Sequence, residues 1–229
     1  MEPLSKNPPF LHYESSREEL RRMQIDFPQR DWEFRYLMGC MAAMQPRNLV
    51  EVGTREGGSL FMLSRVLPPG STIISVDLPG SAWGYSSSGV KKRQVAERLR
   101  SDGFIIHLVE RDSSAPETAT EVQRLLGGDP IEALFLDGDH SFAGVLADFR
   151  NYQPLMKADA PLIFHDIVHS PKTPRVEVHY LWRVLKALAP HVEFIESDNA
   201  GWGIGVATNT GLLQGYDLRQ EEAAQRGLV

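Results

Sequence analysis

The chain has 229 residues, 42% of them hydrophobic, and a formal net charge of −6; this is enough for one large α/β domain and short for two. An acidic surface with scattered Lys and Arg repels a phosphate backbone, which argues against nucleic acid as a partner. The single cysteine, Cys40, excludes an intrachain disulfide, and no apolar run approaches the roughly 20 residues that a membrane span requires.

The first 45 residues read as a helical extension. Met1 to Pro9 lack the apolar core of a signal segment, so a soluble, cytoplasmic protein with no membrane partner is expected. Ser16-Arg17-Glu18-Glu19 has the form of a capping box. Asp31 stands where it could cap a second helix, with Trp32, Tyr36, Leu37 and Cys40 at helical spacing. Cys40 lies in an apolar stretch and reads as a buried, inert thiol. The extension is expected to be a packing layer, a cover over a ligand, or a dimer surface.

From residue 48 strand and helix alternate. Strand runs are predicted over Asn48 to Gly53, Thr72 to Leu78, Phe104 to Val109, Ile131 to Asp137 and Pro161 to Asp166. Helices are predicted over Ser59 to Leu67, Val90 to Arg100, Glu117 to Leu126 and Val176 to Leu188. Another helix presents Phe142, Val145, Leu146, Phe149 and Tyr152 on one face. Val192 to Glu196 and Trp202 to Thr208 read as a closing strand pair, with Asn199 to Gly201 as its turn. The chain thus divides into an extension (1–45), one α/β domain (46–208) and a polar, poorly ordered tail (209–229). Such alternation predicts a parallel sheet with helices on both faces, and ligands beyond the carboxyl ends of its strands.

Gly53, Asp77, Asp112, Asp137 and Asp166 stand at those ends. The loop Val50-Glu51-Val52-Gly53-Thr54-Arg55-Glu56-Gly57-Gly58-Ser59 joins the first strand to its helix, and its glycines let backbone approach a ligand closely. Asp77, at the end of the second strand, is placed to accept hydrogen bonds from a ribose. Asp112-Ser113 ends the third strand, where an adenine edge could be read. The three positions together point to an adenosine-type cofactor.

The run from Glu51 to Ser59 resembles the first motif of class I S-adenosylmethionine-dependent methyltransferases. Leu134-Phe135-Leu136-Asp137-Gly138-Asp139-His140-Ser141-Phe142 and Pro161-Leu162-Ile163-Phe164-His165-Asp166 resemble one branch more closely. That branch holds the metal-dependent macrolide-sugar O-methyltransferases and the proteins called cephalosporin hydroxylases. The likeness covers about residues 45 to 208. It implies a Rossmann-like, doubly wound, seven-stranded sheet, mainly parallel with an antiparallel last strand. It also implies S-adenosylmethionine as cofactor. Glu51 and Gly53 would border its methionine part, Asp77 would hold the ribose, and Asp112 with Ser113 would flank the adenine. Thr54, Gly57, Ser59, Leu78 and Asp137 would complete the cofactor contacts.

Asp137 and Asp166 end two strands expected to be neighbours, and two converging carboxylates need compensation; a divalent cation is one solution. Mg²⁺ is the first expectation. The resembling branch often has an acidic residue where this chain has His165, and imidazole favours a softer ion. Either His165 is a spectator, or it is a third ligand and the preferred metal differs, or no metal binds. His140 stands where the branch places a catalytic base; with Asp137 it forms the expected catalytic pair, and Asp139 between them could cap the next helix. His107 reads as structural. His169 and His179 flank a loop that could cover the acceptor, and Trp83 with Tyr85 could belong to a lid. The expected activity is O-methylation of a small-molecule hydroxyl, of sugar or natural-product type, by a homo-oligomer. An NAD-dependent oxidoreductase and a non-catalytic cofactor-binding protein are the alternatives; Arg55 in place of a second glycine counts against the first.

Overall fold

The computed structural model describes residues 8–79, 88–196 and 201–209. Its helices are α1 (Pro8–Arg22), α2 (Asp31–Met44), α3 (Gly58–Ser64), α4 (Ser88–Ser101), α5 (Pro116–Leu125), α6 (Phe142–Tyr152) and α7 (Val178–Leu188). The strands are β1 (Asn48–Val52), β2 (Thr72–Asp77), β3 (Ile105–Glu110), β4 (Ala133–Leu136), β5 (Pro161–His165), β6 (His191–Phe194) and β7 (Ile204–Thr208). They form one sheet in the order β3-β2-β1-β4-β5-β7-β6. The first five strands run parallel, and β7 is antiparallel to both β5 and β6. This is the Rossmann-like, doubly wound arrangement expected from the sequence. Trp83, Tyr85, the first two residues of the Asn199-Ala200-Gly201 turn and nearly all of the tail lie outside the described residues.

Side chains alternate across each strand, so a sheet buried on both faces divides its apolar residues between two layers. Val50, Val52, Leu134, Leu136, Leu162 and Phe164 pack with α5, α6 and α7 on one face. Leu49, Ile73, Phe135, Ile163 and Ile204 pack with α1 to α4 on the other. Helix α7 shows why its sequence folds as it does: Val178, Leu181, Trp182 and Leu185 recur at helical spacing and are all buried. The N-terminal helices contribute Tyr13, Leu20, Phe34, Leu37, Met38 and Met41 to the second core.

Three capping expectations are corrected. Ser16 lies inside α1, and its hydroxyl donates to the His12 carbonyl at 2.5 Å; the apolar and polar pattern continues through it, so no helix begins there. Asp31 is the first residue of α2 and caps nothing; its carboxylate accepts the Tyr13 hydroxyl at 2.9 Å and pairs with Arg17. Ser141, not Asp139, caps α6 by accepting the Gly144 N–H at 3.1 Å. Asp139 accepts the Ser141 N–H at 2.9 Å, one step outside the helix. Cys40 is only half-buried, and burial raises its thiol pKa.

Candidate functional site

The strand order reverses between β1 and β4, and the crevice beyond their carboxyl ends is where such sheets bind ligands. Gly53 follows β1 there with φ +82°, a conformation that other residues rarely adopt. A methyl group at Gly53 would also overlap the backbone of Asp137 and Gly138. Glycine is thus required for the first loop to meet the end of β4.

Beside it, Glu51 is fully buried, and among the described residues neither carboxylate oxygen has a partner within hydrogen-bond geometry, although the Ser59 and Thr54 hydroxyls lie close. Burial pushes its pKa up to about 8; the Ser59 and Thr54 hydroxyls oppose this, and Asp137 and Asp77 add to it. Such a carboxylate is fitted to a cationic ligand group such as an ammonium. Thr54 and Ser59 are buried next to it, and Thr54 accepts the Ser75 hydroxyl at 2.8 Å.

Asp77 ends β2 as expected. One oxygen accepts the Arg55 N–H at 3.1 Å and the buried Lys92 ammonium at 2.9 Å, and the other accepts the Leu78 N–H at 3.0 Å. Each carboxylate oxygen can accept more than one hydrogen bond, so the second keeps capacity for a hydroxyl. Leu78 is 41% exposed beside it. Asp112 and Ser113 lie past β3 in the turn before α5. Asp112 accepts the Ser114 N–H at 2.9 Å, and the Ser113 carbonyl accepts the Tyr152 hydroxyl at 3.2 Å. The loop is therefore pinned by α6.

Four side chains meet at the ends of β4 and β5, with carboxylate and imidazole alternating. His140 Nε2 lies 3.3 Å from Asp137 Oδ1 and 3.4 Å from Asp166 Oδ2. His165 Nδ1 lies 3.2 Å from Asp137 Oδ1 and 3.4 Å from Asp166 Oδ1. The two imidazoles differ in access: the His140 side chain is 37% exposed and that of His165 is 4% exposed. Burial alone would raise Asp137, but His165 and His140 outweigh it and hold the carboxyl well below the usual range. Burial would lower both histidines; the aspartates reverse this, so His140 is raised and His165 is raised well above its ordinary value. Two residues here hold left-handed backbone, Asp166 at φ +59° and Trp202 at φ +70°. Trp202 meets His165 edge-on at 5.6 Å. Non-glycine residues in this region cost about 1–3 kcal/mol each, and such strain persists where surrounding contacts enforce it.

The donor atoms of Asp137, His140 and Asp166 lie within 4.8 Å of one another. Two carboxylates and one imidazole fit a divalent ion, and a borderline ion such as Fe²⁺, Ni²⁺ or Zn²⁺ suits this set better than Mg²⁺ does. His165 lies deeper against the same carboxylates.

Sequence reading missed three polar residues. Gln29 donates to Asp137 Oδ2 at 3.1 Å, and Lys92 holds Asp77. Glu33, on α2, is buried and accepts the N–H groups of Glu196 and Gly203. Each reaches its partner only through the tertiary fold, and no local pattern marks it. His169 and His179 pair with each other, their ring centroids 4.7 Å apart; burial and His169 lower His179. His107 is half-buried within β3.

The model of a family described as a methyltransferase domain matches residues 50–167, just over half of the chain, and the chain belongs to that family. Its fold is that of the class I methyltransferases. An O-methyltransferase from Bacillus cereus in complex with SAH superimposes with a TM-score of 0.64 at 16% identity, over 86% of this chain and 90% of that one. The rhamnosyl O-methyltransferase of Mycobacterium tuberculosis is 26% identical over 136 residues, 59% of this chain and 50% of that protein. An uncharacterized protein of Sinorhizobium fredii is 24% identical over 173 residues, 74% of this chain. The chain spans about half the length of the first relative and 19% of the second.

Proposed function

We propose that the chain transfers a methyl group from S-adenosylmethionine to a hydroxyl of a small acceptor, of sugar or natural-product type. The observation that carries this reading is the carboxylate–imidazole cluster set directly against the Gly53 loop. The family and the rhamnosyl O-methyltransferase relative support it. Bound cofactor supplies an activated methyl on a sulfonium. Glu51 takes the cationic end of its methionine part, with Gly53, Thr54, Gly57 and Ser59 around it. Asp77 and Leu78 hold the ribose, and Asp112 with Ser113 border the adenine. His140, the accessible imidazole, turns Nε2 toward the two carboxylates, and in its neutral form takes the acceptor proton at the other ring nitrogen, Nδ1. Asp137 and Asp166 orient that imidazole and stabilise the imidazolium that forms. His165 keeps the two carboxylates together.

A divalent ion would be held by Asp137 and Asp166, and would acidify and orient the acceptor hydroxyl. His165 is the third ligand in one arrangement. In the other, His140 is the third ligand, which its place within the 4.8 Å set favours; proton removal then passes to water or Asp139.

Calorimetry should show binding of S-adenosylmethionine, and NADH binding without it would overturn the reading. His140→Ala should lower turnover about 10²- to 10⁴-fold with cofactor affinity retained. Chelation followed by add-back of single metals decides the ion's part. Full activity in chelator rejects a catalytic metal, and a preference for Fe²⁺, Ni²⁺ or Zn²⁺ over Mg²⁺ supports a histidine ligand.

A further inference from the structure

The segment from Asp26 to Glu33 crosses the site and is anchored at both ends. At one end Glu56 accepts the Asp26 N–H at 2.6 Å, and Arg55 pairs with Asp26 at 2.9 Å. At the other, buried Glu33 accepts the N–H groups of Glu196 at 3.0 Å and Gly203 at 3.1 Å. Arg30 pairs with Glu196 at 2.9 Å and lies over the Trp202 ring. Between these anchors Gln29 Nε2 donates to Asp137 Oδ2 at 3.1 Å.

Asp137 Oδ2 accepts here, and only the amide nitrogen of Gln29 can donate, so the donor end of the amide faces the carboxylate. The amide oxygen then points away, and it is buried with no hydrogen-bond partner among the described residues. A residue present only for packing would not leave a buried carbonyl unpaired, because that costs free energy with nothing gained. The orientation is set by Asp137.

We propose that Gln29 is a positioning residue of the methyl-transfer site, delivered by the N-terminal extension to fix the Asp137 carboxylate. By occupying Oδ2 it keeps Oδ1 turned toward His140 and His165. The extension is thereby part of the reaction site, and the proposal rests on the methyltransferase reading above.

The test compares wild type with Gln29→Ala, Gln29→Met and Gln29→Glu, each first checked for a cooperative thermal melt. Calorimetry with S-adenosylhomocysteine probes the cofactor site alone. Wild-type failure there would sink the methyltransferase reading, whereas affinity kept within about threefold in all variants is expected. Imidazole ¹⁵N spectra of the S-adenosylhomocysteine complexes then report the geometry without any acceptor. The His140 and His165 resonances should shift or broaden in Gln29→Ala and Gln29→Met, and most in Gln29→Glu, which sets a like charge against Asp137. With methyl rhamnoside or catechol as the probe acceptor, kcat should fall on the order of 10- to 100-fold with KM for the cofactor unchanged. Unmoved imidazole resonances overturn the proposal. Recovery of wild-type spectra or turnover in Gln29→Met, which fills the same space without a donor, overturns it as well.

Discussion

At the scale of single residues, Glu51 makes the most distinctive claim. Its carboxyl is fully buried and raised to about 8 by that burial. It therefore holds a proton at neutral pH and must release it to pair with a cationic group. If Glu51 receives the ammonium of S-adenosylmethionine, cofactor affinity rises from pH 6 toward 7.5, by up to about tenfold per unit. The rise ends near pH 8, where an α-amino group itself deprotonates. Glu51→Gln should bind the cofactor about 10- to 100-fold more weakly at pH 7.5 and lose this dependence. Calorimetry across the range checks both outcomes, and a flat wild-type profile assigns Glu51 elsewhere. Asp77, Asp137, His140 and Asp166 stand out in the sequence because polar residues interrupt apolar strand runs at their ends. Gln29, Glu33 and Lys92 do not, because their partners lie 108, 163 and 15 residues away and only the fold joins them.

At the scale of elements, the sequence pattern predicted the seven strands and the helices from α2 to α7, with ends shifted by a few residues; α1 begins eight residues before the expected cap at Ser16, and the short 3-10 turn over Gln153–Leu155 was not predicted. The caps failed because Ser, Asp and Glu serve equally well inside a helix, at its first turn or one step before it. Helix α6 illustrates what periodicity cannot reveal. Its buried face carries Asp148 among apolar neighbours, and one carboxylate oxygen has no hydrogen-bond partner among the described residues. Burial raises this group to about 7, against a smaller opposing pull from Ser113. Between about pH 4 and 7 the unfolded chain has released this proton while the folded chain retains it, so stability falls as pH rises through that window. Asp148→Asn removes the dependence. The variant should gain about 2–4 kcal/mol at pH 8, a rise of roughly 4–16 °C in melting temperature, and almost nothing at pH 4. Calorimetric melts at the two pH values measure the difference. An equal change at both would mean that ionisation of Asp148 is not the cause.

At the scale of the whole molecule, the N-terminal helices are the part that the family resemblance did not reach. Read from sequence they were a packing layer, a cover or a dimer surface. In the fold they pack against the sheet: Tyr13, Leu20, Phe34, Leu37, Met38 and Met41 are buried with Leu49, Phe61, Phe135 and Ile163. Phe34 meets Phe27 edge-on at 4.9 Å and Phe135 of the central strand at 6.5 Å. Glu33, on the same turn of α2, holds the N–H groups of Glu196 and Gly203, which flank the chain's return into β7. Removing residues 1–45 would strip α1 and α2 from one face of the sheet, leaving only α3 and α4 there, and leave those two N–H groups without their acceptor. The truncated chain should lose its cooperative melt and bind an apolar dye, as a compact state without fixed packing does. Phe34→Ala is the milder test, because it opens a cavity without exposing the sheet. It should cost about 3–5 kcal/mol, or roughly 6–20 °C in melting temperature, with the fold retained. If the truncated chain melts cooperatively and Phe34→Ala melts like wild type, the helices are an appendage. In that case the core of the methyltransferase unit closes without them.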